Sequence, residues 1–120
     1  MTDRSCAISA VLITRNAAER LEGCLATLAF CDEILVVDSG SEDGTREIAL
    51  GKRARVIECE WRGFGPQKQF AVEQARNDWV LCVDADERVS PELAASIAQA
   101  LLQPLAQVYR MTRCNRFLGR

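Results

Sequence analysis

Histidine is absent from all 120 residues, which excludes Ser-His-Asp and Cys-His catalysis within the chain as well as histidine-ligated metal sites. Acid-base or metal chemistry therefore falls to carboxylates. An excess of basic charge is also lacking. Fifteen Lys and Arg against 17 Asp and Glu give a formal charge of -2, which argues against a nucleic-acid partner, since such a protein presents a net basic surface. No apolar run approaches the roughly 20 residues that span a bilayer. Met1-Thr2-Asp3-Arg4-Ser5 has none of the apolar stretch of a signal peptide, so the expected compartment is the cytosol. The six cysteines include no C-x-x-C pair. Most sit inside apolar runs and read as reduced, small core residues. No G-x-x-x-x-G-K-[ST] occurs, and Gly63-Phe64-Gly65 follows no convincing strand, which discounts a phosphate-binding loop and a dinucleotide fingerprint.

What is present is ordinary for a soluble globular domain, with 48% hydrophobic and 27% charged residues. The length allows one domain, and is short for an enzyme that binds two substrates. Ile8 to Thr14 reads as a strand, and Asn16 with Glu19 reads as a capping box opening a helix that carries Leu21, Cys24, Leu25 and Leu28. Ile34 to Asp38 is a second buried strand. It breaks into the turn-rich loop Ser39 to Thr45, and the helix that follows turns Ile48 and Ala49 inward and stops at Gly51. Arg55 to Glu58 reads as a third strand. After the loop Trp61 to Pro66 comes a helix with Phe70, Ala71 and Ala75 inward, and then a strand over 79–84. Ser90-Pro91 opens a further helix with Leu93, Ile97 and Leu101 on one face, ended by Pro104, and a fifth strand is expected over 108–112. Strands alternating with helices across short loops predict an α/β fold: a doubly wound, mostly parallel sheet with helices on both faces.

Ligands bind such sheets at the carboxyl ends of the strands. Thr14, Asp38 and Asp84 each end an expected strand, so one edge of the sheet collects them. At the last of these ends the apolar run Trp79 to Val83 stops abruptly at Asp84, Asp86 and Glu87. Crowded carboxylates repel one another, so a fold that gathers them usually has a cation or polar ligand to hold there. The competing reading is that they cap the next helix. Two carboxylates one residue apart can hold one Mg²⁺ or Mn²⁺ and leave positions open for phosphate oxygens.

Four blocks in order, residues 8–16, Val36 to Thr45, Gly65 to Ala71 and Val83 to Val89, resemble the family 2 inverting glycosyltransferases. The likeness is greatest to the branch that adds sugars to the lipopolysaccharide core. That resemblance implies an A-type glycosyltransferase fold, of which residues 1–120 would be the nucleotide-sugar-binding part, a nucleotide-diphospho-sugar donor, a glycan or glycolipid acceptor and a divalent metal. It implies that Thr14 lies at the nucleotide pocket, that Asp38 contacts the nucleobase and that Lys68 approaches the diphosphate. Asp84 would meet the ribose or share the metal, Asp86 would ligate the metal, and Glu87 would support the site. Many members carry a second aspartate where this chain has Ser39. The general base of the transfer is implied to lie beyond Arg120, so that no catalytic base is expected in this chain, which reads as truncated.

Other readings compete with parts of this. A solvated helix face suits Lys68, and a loop and helix cap suits Asp38 and Ser41. The arginines at 110, 113, 116 and 120 suit either an anionic acceptor or membrane surface, for peripheral contact at the inner face, or a plain solvated terminus. A phospho-receiver signalling domain also gathers aspartates at strand ends, with Asp38 as the acceptor, but it wants an acidic pair where this chain has Thr14-Arg15-Asn16. Sugar nucleotidyltransferases normally have a glycine-rich basic loop after strand one, and none is found.

Overall fold

Strand β1 (Ile8–Thr14) is buried almost along its whole length, because its two rows of side chains enter two different cores. Ile8, Ala10 and Leu12 face one layer, and Val11 and Ile13 face the other, the period-2 alternation of a strand covered on both sides. A computed structural model describes residues 7–100. The expected fifth strand, Leu101, Pro104 and the four terminal arginines lie outside the described residues.

Helix α1 (Ala18–Ala26) follows β1, then β2 (Glu33–Asp38), α2 (Thr45–Gly51), β3 (Arg55–Glu58), α3 (Phe64–Gln74), β4 (Trp79–Cys82) and α4 (Pro91–Ala100). The four strands pair in parallel in the order β3-β2-β1-β4. The chain winds outward from β1 through β2 to β3, then α3 carries it back across to the far side of β1. Leu21, Cys24, Leu25 and Leu28 of the α1 segment, Ala49 of α2 and Ile97 of α4 fill the core on one face, while Ala71 of α3, with Phe70 packed beside it, closes the other. Each fully buried aliphatic side chain of this kind contributes about 1.5–3 kcal/mol.

Three local details differ from the sequence expectation. Asn16 is not the cap of α1: it sits in the left-handed region at φ 52°, Ala17 is the N-cap, and no side chain within the helix start caps it. Gly51 is the last residue of α2 and does not stop it; Arg53 makes the left-handed exit at φ 66°. Strand β4 ends at Cys82, with the Val83 N–H still donating to the Val11 carbonyl at 3.0 Å, so Asp84 lies in the loop beyond the strand. At α3, Gly63 takes φ 97° and ψ 160°, a conformation essentially confined to glycine. Pro66 is tolerated in the first turn because the amide it lacks would have no helical partner there.

Candidate functional site

Thr14 and Asp38 are register partners across β1 and β2, so their side chains leave the sheet on the same face. Thr14 Oγ1 donates to Asp38 Oδ1 at 2.7 Å. Ser41 adds two bonds to the same carboxylate, from its N–H to Oδ2 at 2.9 Å and from its Oγ to Oδ1 at 2.5 Å. Arg46 of α2 stands 3.8 Å from Asp38 Oδ2 and 3.4 Å from Glu58 Oε1, bridging the ends of β2 and β3. The Asp38 side chain is 0% exposed. A buried carboxylate requires such partners, and here they fasten β1, the β2–α2 loop and α2 to one point.

That loop also closes the amino end of α1. The N–H of Asn16 donates to Ser41 Oγ at 2.8 Å, that of Ala17 to Thr45 Oγ1 at 2.9 Å, and that of Ala18 to Asp43 Oδ2 at 3.1 Å. In return Asn16 Oδ1 accepts from the Glu42 N–H at 2.7 Å. The first amides of a helix have no partner within it, and here hydroxyl and carboxyl oxygens 25 to 28 positions later supply them. Hydrogen bonds hold the Asp43 carboxyl below the usual carboxylate range, the Thr45 hydroxyl foremost, with the Ala18 and Thr45 amides adding to it.

The loop after β4 is tied to α1. The Asp84 N–H donates to Glu87 Oε1 and the Glu87 N–H to the Asp84 carbonyl, both at 2.9 Å. The Cys24 thiol reaches the Asp84 carbonyl at 3.5 Å, and the Val89 N–H donates to Thr27 Oγ1 at 3.0 Å. Burial pushes the Cys24 thiol up to about 11, so it stays protonated and structural. Asp84 and Asp86 are both exposed. Asp86 pairs with Arg20 of α1 at 3.9 Å, with each side chain more than half exposed, a contact weak enough to exchange for another ligand.

A cavity of about 340 Å³ opens between the carboxyl ends of β1 and β4, lined by Thr14, Arg15, Asn16, Arg20 and Asp86 among others. Strand order reverses between these two strands, the place where doubly wound sheets bind ligands. The structure thus brings Thr14 and Asp86 to one cavity, with Asp38 buried directly behind Thr14. Asp84 is on the same loop as Asp86 but not on the cavity wall. Lys68 is half-buried on α3, on the opposite face of the sheet, and is not on that wall either. Among the described residues no group of three or more His, Cys, Asp or Glu side chains could hold a metal ion. The donor set still fits a hard divalent cation: two exposed carboxylates one residue apart match the one or two that Mg²⁺ uses when phosphate and water complete its shell. Ser41, Asp43, Thr45, Arg46, Arg20 and Gln67 are missing from the sequence-predicted site. Only the density of Ser, Asp and Thr between 38 and 45 hinted at the first three.

A four-stranded parallel sheet in this order, with its polar groups at the switch point, defines a doubly wound α/β ligand-binding domain. The chain belongs to glycosyl transferase family 2, whose description matches residues 9–118. It is 44% identical over 91 residues to an uncharacterized glycosyltransferase of Rickettsia bellii, covering 75% of this chain and 31% of that one. It is 38% identical over 99 residues to the lipopolysaccharide core biosynthesis glycosyltransferase LpsC of Rhizobium meliloti, covering 78% and 37%. The fold superposes on glucosyl-3-phosphoglycerate synthase from Mycobacterium tuberculosis in complex with uridine diphosphate, with a TM-score of 0.68 and 26% identity over 82% of this chain and 41% of that one. The sheet and its helices are those of the A-type glycosyltransferases. The chain spans about a third of the length of the curated relatives it matches. Family membership leaves no support for the phospho-receiver reading, and the strand order agrees, since receivers place their second strand at the sheet edge.

Proposed function

We propose that residues 1–120 form the nucleotide-sugar-binding part of an inverting glycosyltransferase. It would transfer a sugar from a nucleotide-diphospho-sugar to the lipopolysaccharide core or another envelope glycan. The observation that carries this reading is the cavity between β1 and β4, with Thr14, Arg15 and Arg20 on one wall and Asp86 on the other. The uridine diphosphate complex of the mycobacterial relative supports a nucleotide donor, and the Rhizobium relative, a lipopolysaccharide core biosynthesis glycosyltransferase, supports the lipopolysaccharide core as acceptor class. A glycolipid acceptor would bring the protein to the cytoplasmic membrane face. No helix among the described residues is long and apolar enough to cross a membrane.

Asp86, with Asp84 beside it, would hold Mg²⁺ or Mn²⁺. When bound, the cation would neutralise the diphosphate as it departs. Arg15 and Arg20 bring further positive charge to the same cavity, and Arg20 is freed for it once Asp86 takes another partner. Thr14 faces the nucleotide, and Asp38 holds Thr14 and the β2–α2 loop in place. Lys68 is assigned to the donor site on its charge alone, and Lys68→Ala tests it. Neither Asp84 nor Asp86 is assigned as the general base.

Ligands that bind only the native state raise its melting temperature. The test is a thermal-shift screen of UDP, GDP, CDP and ADP with and without Mn²⁺. At least one nucleoside diphosphate is expected to raise Tm only when the metal is present. No shift with any of the four contradicts the proposal.

A further inference from the structure

A second and larger cavity, of about 680 Å³, opens at the amino ends of β2 and β3, the opposite edge of the sheet from the cavity between β1 and β4. The six residues of β2 put roughly 20 Å between the two edges. Its charged lining is four cations, Lys52, Arg53, Arg55 and Arg76, against two carboxylates, Asp32 and Glu33.

The carboxylates are already engaged by the protein. Glu33, whose side chain is only 10% exposed, takes Arg55 Nη2 at 2.8 Å and Arg55 Nε at 3.0 Å on Oε2, and the Ser9 hydroxyl and the Arg76 N–H on Oε1. Asp32 Oδ2 accepts from the Ile8 N–H at 2.8 Å. Arg55 thus cancels Glu33, and three cations remain against Asp32. Their ties are loose. Lys52 stands 3.8 Å from an exposed Glu22, and the largely exposed Arg76 guanidinium is 3.7 Å from Glu33. The Arg53 side chain has no hydrogen bond or ion pair among the described residues.

Neutralising the carboxyl ends of α2 and α3 is the ordinary task of cations placed here, but other groups perform it. The backbone amides of Lys52, Arg53 and Ala54 take the last carbonyls of α2, and Arg55 Nη2 takes the Gln74 carbonyl at the end of α3 at 2.5 Å. Arg53 also holds φ 66° at the exit of α2, where glycine would fit without strain. Like charges gathered on one wall repel one another, and an anion between them removes that repulsion. Guanidinium groups match phosphate oxygens in shape and charge.

We propose that this cavity is a second anion site, which takes a phosphate monoester or diphosphate between Lys52, Arg53 and Arg76 without a metal ion. It is separate from the donor site and does not rest on that reading. Its phosphate belongs either to a soluble ligand or to a lipid headgroup, and the two are told apart by the probe that binds.

The test has two arms, both in EDTA so that metal-dependent binding between β1 and β4 is silent. One titrates inorganic pyrophosphate calorimetrically; the other sediments the protein with phosphatidylcholine vesicles with and without phosphatidic acid. The proteins are the wild type, Arg53→Gln, Arg76→Gln and Arg20→Gln, the last reporting any anion held in the other cavity. The wild type is expected to bind at least one probe, and Arg53→Gln and Arg76→Gln each to weaken it at least tenfold, the loss of a charged hydrogen bond. Arg20→Gln is expected to bind as the wild type does. Arg53→Gln is also expected to keep wild-type Tm and wild-type nucleotide affinity in Mn²⁺, which separates loss of this site from loss of the fold or of the donor site. Pyrophosphate binding identifies a soluble ligand; binding only to vesicles that contain phosphatidic acid identifies a headgroup. The proposal is overturned if the wild type binds neither probe, if either cavity variant binds at wild-type strength, or if Arg20→Gln loses as much as they do.

Discussion

Thr14 Oγ1 and Asp38 Oδ1, 2.7 Å apart on neighbouring parallel strands, link the cavity wall to the buried centre of the site. Thr14 lines the cavity, and Asp38 behind it gathers Ser41 and Arg46 as well. Replacing Asp38 by Asn puts a donor opposite groups that donate. Asp38→Asn is expected to lower stability by about 1–3 kcal/mol, read by urea denaturation, and to lower nucleotide affinity through displacement of Thr14. Wild-type stability would show that the carboxylate does not hold these segments together.

The capping of α1 from the β2–α2 loop predicts coupling between segments distant in sequence. Thr45→Val and Ser41→Ala each remove an oxygen that accepts from the α1 start, and each is expected to cost about 1 kcal/mol. Hydrogen exchange should show the amides of Asn16, Ala17 and Ala18 losing protection. Protection lost only within 41–48 would mean that α1 needs no cap from this loop.

Acid sensitivity follows from Glu33. Burial works against its charge, but the Arg76 amide, the Ser9 hydroxyl and the Arg55 guanidinium together hold its carboxyl below the usual range; Arg55 Nη2 is 2.8 Å away. A folded pKa below the unfolded one contributes stability that is complete above the unfolded value and lost as pH falls through the folded value. Chemical denaturation across pH 2 to 6 should therefore show stability falling towards acid. The fall should be shallower in Glu33→Gln, which has no carboxyl to titrate there. Equal slopes would remove Glu33 as a source.

Gly23 lies inside α1 beneath the Arg88 guanidinium, which a Cβ at that position would strike. Gly23→Ala gains about 0.8–1 kcal/mol of helix propensity, and the obstruction is the far end of a flexible, exposed side chain. Stability is expected to hold or rise while Arg88 is pushed off α1 and the Asp84–Arg88 loop loosens. The measurement pairs Tm with Mn²⁺ affinity: unchanged or higher Tm with weaker metal binding. A large loss of stability would mean that Arg88 cannot move aside.

Period-2 and helical spacing were enough to read the order of elements and the parallel sheet, because apolar runs such as Ile8 to Thr14 and Ile34 to Asp38 are long enough to show their burial. The edge of the sheet was legible for the same reason. The hydrogen bonds that organise that edge were not. Ser41, Asp43 and Thr45 cap a helix that begins more than twenty residues before them, and Gln67 reaches back 28 positions to Ser39. Local pattern assigned the cap to Asn16, the nearest suitable residue, and β4 was read two residues too long because Val83 continues its apolar run. Lys68 stood out by charge, whereas the contact from α3 to the strand ends is made by its uncharged neighbour Gln67.

The central claim, that the cavity between β1 and β4 is a metal-dependent nucleotide site, is tested most directly by titrating UDP into the wild type and Asp86→Ala, with and without Mn²⁺. UDP stands in here for whichever nucleotide the thermal-shift screen selects. The account predicts binding to the wild type that needs the metal, and loss of that metal dependence in Asp86→Ala together with at least tenfold weaker affinity, roughly the loss of one charged contact. Identical metal-dependent binding by both proteins would contradict it.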